Sequence, residues 1–347
     1  MRKVIIMNLA LKEITYYKMK YVLIAAIIFL LAFLVLFVSS LAQGLGKDNI
    51  SFIEHMDGKY FVVSEDADNN LLNAPLDKED VKVLKDFNIP LVQMQPIKIQ
   101  NNDKFLLTTI SKLHALPKDG DVALDVHLNK SYDLKDKLNI VDSKENLRVS
   151  DFEKFQMYSH MPVGLVNQAT YKKVVPHEAI NTAIINQHVL DDVSIKDLKQ
   201  DLKHSKIITP EDAMKAIPSY EAEQMPLNLM VFFLFLISAI VITVFFYIIT
   251  IQKTTEYGIL KAIGTSHKKL IFKLIQEVFI IVIFSVSLAI VIITAINNFM
   301  PPGMPFYLNN NLIMILAGLF LFVSFIGVML SIIKVLKIDP IEAIGGE

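Results

Sequence analysis

Four stretches of the chain carry no Asp, Glu, Lys or Arg. Each is long enough to cross a bilayer, which takes roughly 20 apolar residues at about 1.5 Å rise apiece. The first runs from Tyr21 to Ala42, the second from Leu227 to Ile251, and the third and fourth share one block from Val278 to Ile333. That block is too long for a single helix. Pro301, Pro302, Gly303 and Pro305 interrupt it, since proline removes a backbone donor and glycine frees the chain to turn. The pattern predicts transmembrane helices over 21–42, 224–251, 278–297 and 311–333, the last two joined by an external turn at 298–310.

Between the first two helices, residues 43–223 have short, mixed periodicities. Tyr60–Val63 reads as a strand, and Leu91–Gln100, Asn101-Asn102-Asp103 and Phe105–Ile110 read together as a hairpin. Val122–Leu128 followed by Leu134–Val141 reads as a strand, a short helical connection and a second strand. Residues 177–217 are richer in helix formers, with Ile195, Leu198 and Leu202 on one amphipathic face. A segment of about 180 residues suffices for a domain with its own core. The expected fold class is a membrane protein of α+β type, with four transmembrane helices and one large extracytoplasmic α+β domain between helices 1 and 2.

Composition agrees, and charge adds an orientation. Of 347 residues, 53% are apolar and 20% charged, against about 45–50% and about 25% in soluble domains. The net charge of −1 is a cancellation. Residues 1–20 hold five basic and one acidic residue, the 252–277 loop five and two, and the 334–347 tail two and three, whereas 43–223 holds 22 and 29. Short basic loops stay in the cytoplasm, while long domains translocate largely regardless of charge. Both termini are therefore expected inside the cell, and the large domain outside it. Ser40-Leu41-Ala42 resembles a signal-peptidase site. The preceding apolar run is too long for a signal peptide, and it follows Met7, Leu9, Leu11, Ile14 and Tyr17 set among lysines. Residues 1–20 thus read as an interfacial amphipathic helix leading into an uncleaved anchor.

Several chemistries are excluded or disfavoured. With no cysteine, the chain has no disulfide frame, thiolate metal site or CxxC pair. No GxxxxGK[ST] phosphate loop occurs. His177-Glu178 begins a zinc-protease pattern, but Asn181 stands where the second histidine ligand is required. The predicted spans hold no ionisable residue, whereas ion-coupled carriers place one near the midplane. We expect no catalytic residues, no tightly bound cofactor and no nucleic-acid partner. Any transport must draw its energy from elsewhere.

The loop from Ile251 to Glu277 carries the sequence QKTTEYGILKAIGTSHKKL. Ile259, Leu260 and Ile263 form an apolar patch flanked by Glu256, Lys261, Lys268 and Lys269, and Gly258 and Gly264 permit close approach or a turn. Such a helix suits the groove of a soluble partner. It equally suits a connector whose lysines only fix topology, and composition does not separate the two.

This loop resembles the signature loop of FtsX-like, or MacB-like, ABC-transporter permeases, and the tail Ile338-Asp339-Pro340-Ile341-Glu342-Ala343 resembles that family's C-terminal motif. The resemblance implies MacB-like topology, a homodimer, and a coupling helix docked on a separate ATPase subunit that binds ATP. Glu256, Gly258, Lys261 and Gly264 are then the ATPase-coupling candidates. The segments at Lys12–Ile24, Leu41–His55, Ser219–Met230, Met304–Leu308 and Asp339–Gly346 are similar, more narrowly, to the haem-exporting permeases of Gram-positive bacteria, the HrtB type. What that implies is a 2+2 complex with an HrtA-like ATPase in the plasma membrane, taking haem from membrane lipid and expelling it.

Haem is apolar with two carboxylates, and its iron accepts Tyr, Met or His. The outer ends of helices 1 and 2 supply Phe52, Glu54, His55 and Met56 from one side, and Tyr220, Glu221, Glu223 and Met225 from the other. Glu54, His55, Tyr220, Glu221 and Met225 are the haem-contact candidates, and no metal site apart from haem-iron ligation is expected. Met56 and Met225 also suit simple packing. Phe29, Phe33 and Phe37 recur every four residues and suit a lipid or dimer face better than a porphyrin cradle. Two other readings stay open: an FtsX-like lever that signals to an extracellular cell-wall hydrolase, and a lipid- or peptide-exporting permease.

Overall fold

The structure, a computed structural model, describes residues 12–337 apart from 101–102, 111–115, 142, 144, 154–155, 177–178 and 302–303. The His177-Glu178 pair, the 338–343 motif, and Met7, Leu9 and Leu11 lie outside the described residues. In chain order the helices are α1 (Lys18–His55), α2 (Lys78–Asp86), α3 (Gln168–Val174), α4 (Gln187–Asp192), α5 (Ile195–Asp201), α6 (Pro210–Lys215), α7 (Pro218–Gln252), α8 (Thr254–Ala262), α9 (His267–Phe299) and α10 (Asn310–Leu336). The strands are β1 (Tyr60–Ser64), β2 (Leu91–Lys98), β3 (Lys104–Ile110), β4 (Asp121–Asp125), β5 (Lys137–Asn139), β6 (Asn146–Glu153), β7 (Met157–Tyr158), β8 (Met161–Leu165), β9 (Thr182–Ile185) and β10 (Ser205–Ile208).

The chain divides into two units, one made of the apolar helices and the other of Gln43–Pro226 with Pro301–Pro305. In the helical unit, α1, α7, α9 and α10 are each long and apolar enough to cross a membrane. Ile28, Val35, Ile242, Phe246, Val282, Ala289, Ile293, Phe320 and Val328 form their shared buried core. A closer approach occurs where α10 crosses α7. A Cβ built on Gly327 would stand 3.1 Å from the Thr243 Cα, so glycine lets the two backbones pass there without a tight contact. Ser285 Oγ donates to the Ala25 carbonyl at 3.0 Å, pinning α9 to α1. Phe29, Phe33 and Phe37 stack in series with centroids 6.1 and 5.8 Å apart, and Phe37 meets Phe306 at 5.6 Å.

All four long helices run past the charge-free stretches that announced them. The longest extensions are at the end of α1, which continues past Ala42 to His55, and at the start of α9, which begins at His267. Lys273 and Glu277 therefore sit inside a membrane-type helix, and both are buried.

The second unit is a mixed sheet in the order β10-β1-β9-β2-β3-β8-β4-β6-β5, with β7 paired to β8. The pairs β3/β8 and β4/β6 are parallel and the others antiparallel. β2 and β3 form the antiparallel hairpin read from sequence. The 177–217 stretch does hold α4, α5 and α6, but it also holds two strands, β9 before α4 and β10 between α5 and α6. Four-residue strands buried at a sheet centre show no alternation to read, and every residue of β9 is buried. Asn181, where a zinc ligand was sought, instead accepts a hydrogen bond from the Met94 amide at 2.8 Å.

Candidate functional site

The 254–262 segment folds as α8, whose end is set by Gly264. Its φ is +87°, and the Thr265 amide donates back to the Leu260 carbonyl while the Gly264 amide donates to Lys261, each at 2.9 Å. This is a Schellman closure, in which the residue after the C-cap takes the left-handed conformation that glycine adopts without strain. Ile259 and Ile263 point to the exterior, 47% and 74% exposed, while Tyr257 and Gly258 are buried. Lys261 is half-buried and donates to the Leu336 carbonyl at 3.1 Å, tying α8 to the end of α10. Glu256 accepts from the Tyr17 hydroxyl at 2.7 Å. That bond pushes the Tyr17 phenol up to about 12.

Behind α8 lies a group of charges that sequence reasoning missed. Lys253 Nζ contacts Glu13 and the Tyr21 hydroxyl, and donates to Glu277 Oε2 at 3.1 Å. Lys273 contacts Glu13 and stands 3.6 Å from Glu277 Oε1. Tyr21 adds a hydrogen bond to Glu277 Oε2 at 3.2 Å. None of the four charged side chains is more than 10% exposed. Two cations and two anions balance within the cluster, which is the condition for burying charge at tolerable cost. Burial alone would raise the Glu13 carboxyl, but its bonds to Lys253 and Lys273 hold it below the ordinary range. The cluster thus joins the N-terminal segment, the start of α8 and the first turns of α9. A cavity of about 160 Å³ beside it is lined by Tyr17, Lys20, Tyr21, Gln252, Lys253 and Glu256 among others.

In the sheet unit, the end of α1 and the start of α7 are held together. The Asn49 amide donates to Glu223 Oε2 at 3.2 Å, and Ser219 Oγ donates to Asn49 Oδ1 at 2.5 Å. His160 Nε2 reaches both Glu223 oxygens at 3.0 and 3.1 Å from the β7–β8 turn. Both turn residues, Ser159 and His160, have positive φ, as a two-residue hairpin of this type requires. Of these residues only Glu223 was legible beforehand.

The haem-contact candidates sit around this seam. Glu54 is exposed and ion-paired with Lys47, and Tyr220 is half-buried against the core of the sheet unit. His55 is exposed, and its Nδ1–H donates to the Ser51 carbonyl at 2.7 Å. Glu221 is exposed, and Met225 is 71% exposed. Phe52 and Met56 instead belong to the buried core of the sheet unit. Among the described residues, no group of three or more His, Cys, Asp or Glu is placed to hold a metal ion.

Comparison with known proteins matches residues 228–340 to the FtsX-like permease C-terminal family. The chain is 38% identical to a putative hemin transport system permease protein HrtB of Staphylococcus haemolyticus, over 98% of this chain and 99% of that protein. Two Staphylococcus epidermidis proteins of the same description are 36% and 35% identical over the same shares. With a permease-family match over 228–340 and 38% identity over an alignment that spans nearly the whole chain, the chain belongs to the HrtB family of FtsX-like ABC-transporter permeases.

Proposed function

We propose that this chain is the permease subunit of an ABC-type haem efflux system in the plasma membrane of a Gram-positive bacterium, protecting the cell from haem. The observation that carries this reading is the near-full-length identity to hemin transport permeases. Two copies of the chain assemble with two copies of a separate, HrtA-like ATPase. Both termini and α8 lie in the cytoplasm, and the sheet unit lies outside. Exposed Ile259 and Ile263 form the docking face of α8. Glu256 and Lys261 hold that face through the bonds described above, Gly264 ends its helix, and Gly258 lies on its buried side. ATP binding and hydrolysis on the partner displace α8, and the motion passes to the long helices by mechanotransmission.

Haem enters laterally from the membrane and meets Glu54, His55, Tyr220, Glu221 and Met225 at the outer ends of α1 and α7. It leaves because the second state of the complex binds it less tightly, the only way a conformational cycle drives release. The site suits a weakly held cargo, since its carboxylates and phenol are at least partly exposed.

The site assignment is tested with Glu54→Ala combined with Glu221→Ala. The double variant assembles with the ATPase, and its haemin titration shifts to weaker binding together with reduced haem resistance. An unchanged titration contradicts these contacts.

A further inference from the structure

Tyr257, on α8, is fully buried, and its hydroxyl has no hydrogen-bond partner among the described residues. Glu277 Oε1, on α9, is likewise buried and without a hydrogen bond. Its ammonium neighbour Lys273 stands at 3.6 Å, within ion-pair range but too far to donate a good bond. The same ammonium lies 5.6 Å from the centre of the Tyr257 ring. The Tyr257 ring and the Glu277 carboxylate thus flank one ammonium from two different helices, each with an oxygen that has no hydrogen bond. Burial first, and then the charges of Glu277, Glu13 and Glu256, push the Tyr257 phenol far up, so it remains a donor.

Buried polar groups without partners are costly and uncommon, and each calls for a reason. Here the two orphans are chemical complements, a hydroxyl donor and a carboxylate acceptor on neighbouring helices, and a cavity of about 160 Å³ lined by Lys253 and Glu256 lies beside the start of α8. The Lys253 and Lys273 pairs meanwhile keep α8, α9 and the N-terminal segment from separating.

We propose that Tyr257 O–H donates to Glu277 Oε1 in a second state of this chain, reached when the ATPase displaces α8, and that this bond passes the displacement from α8 to α9. Tyr257 and Glu277 are positioning residues in this account. The proposal rests on the reading of α8 as the ATPase-docking helix.

The test is Tyr257→Phe in the complete chain, co-expressed with its ATPase and reconstituted in lipid nanodiscs. A purely structural hydroxyl with no partner predicts a variant as stable as wild type or more so, with unchanged coupling. The proposal predicts the same stability and a basal ATP hydrolysis within about twofold of wild type, but a haemin-stimulated increment reduced at least about fivefold. The chain has no native cysteine, so spin labels at Thr255→Cys, an exposed position of α8 outside the docking face, and Phe272→Cys give a second readout. Their separation changes on ATP binding in the otherwise wild-type chain and changes less with Tyr257→Phe. Full haemin stimulation in Tyr257→Phe, or a label separation indifferent to ATP, overturns the proposal while leaving the docking reading intact. Failure of the wild-type chain to co-purify with the ATPase overturns the docking reading, and the proposal with it.

Discussion

Lys253 donates to Glu277 at 3.1 Å with neither side chain more than a tenth exposed, joining the loop before α8 to the shaft of α9. Removing one partner of such a pair leaves an uncompensated buried charge and typically costs about 3–5 kcal/mol, whereas removing both is often neutral. Lys253→Met is therefore expected to lower stability by about that amount. Lys253→Met with Glu277→Leu recovers most of it, because Glu13 and Lys273 still pair. Thermal melts followed by circular dichroism in detergent check this, and equal losses in both variants contradict the balanced-cluster account.

These charges show where sequence reading stops. Lys253, Lys273 and Glu277 were counted as markers of a cytoplasmic loop, because a tally along the chain sees sign and not partner. The partner that both lysines share, Glu13, is more than two hundred residues away. Nothing local announces that a lysine will be buried against it. The helices themselves were plain, since four apolar runs admit few other structures, and the β2–β3 hairpin followed from its turn residues.

Less was legible in the sheet unit. β9 and β10 are too short and too uniformly apolar or mixed to show a period, and helical neighbours masked them. At the α1–α7 seam, the sequence pointed to Glu54 and Tyr220 by chemical type. It offered no sign that Asn49, Ser219 and His160 would set the geometry through Glu223.

Gly327 gives a packing prediction. A valine there places its Cβ 3.1 Å from the Thr243 backbone, and overpacking of this kind costs about 1–3 kcal/mol. Gly318, on the same helix, meets nothing within 4 Å. Gly327→Val should melt several degrees below wild type, and Gly318→Val close to it; equal melting points contradict the close α7–α10 crossing.

Gly264 separates local strain from steric conflict, since a Cβ there meets nothing within 4 Å but φ is +87°. Gly264→Ala is expected to cost about 1–2 kcal/mol through the left-handed backbone alone. Hydrogen exchange should show this as faster exchange at the end of α8, with the sheet unit unaffected. Unchanged protection across 260–265 contradicts the Schellman closure.

A pH dependence follows from the sheet unit. His127 contacts the buried Asp125; that bond raises the imidazole above its ordinary value, although burial opposes it. A group whose folded-state value is raised contributes stability that is fully present below the unfolded value, about 6.5, and lost as pH climbs through the folded value. The stability advantage of wild type over His127→Gln should thus be larger at low pH and shrink toward pH 8. An advantage that grows with pH contradicts the assignment.

The central claim, that this permease exports haem using a partner's ATP hydrolysis, is tested most directly on the purified complex of chain and ATPase in nanodiscs. Haemin is titrated while the Soret band and the rate of ATP hydrolysis are recorded together. The account predicts a saturable Soret shift and a several-fold rise in hydrolysis over the same haemin range. A complex that hydrolyses ATP yet shows neither contradicts it.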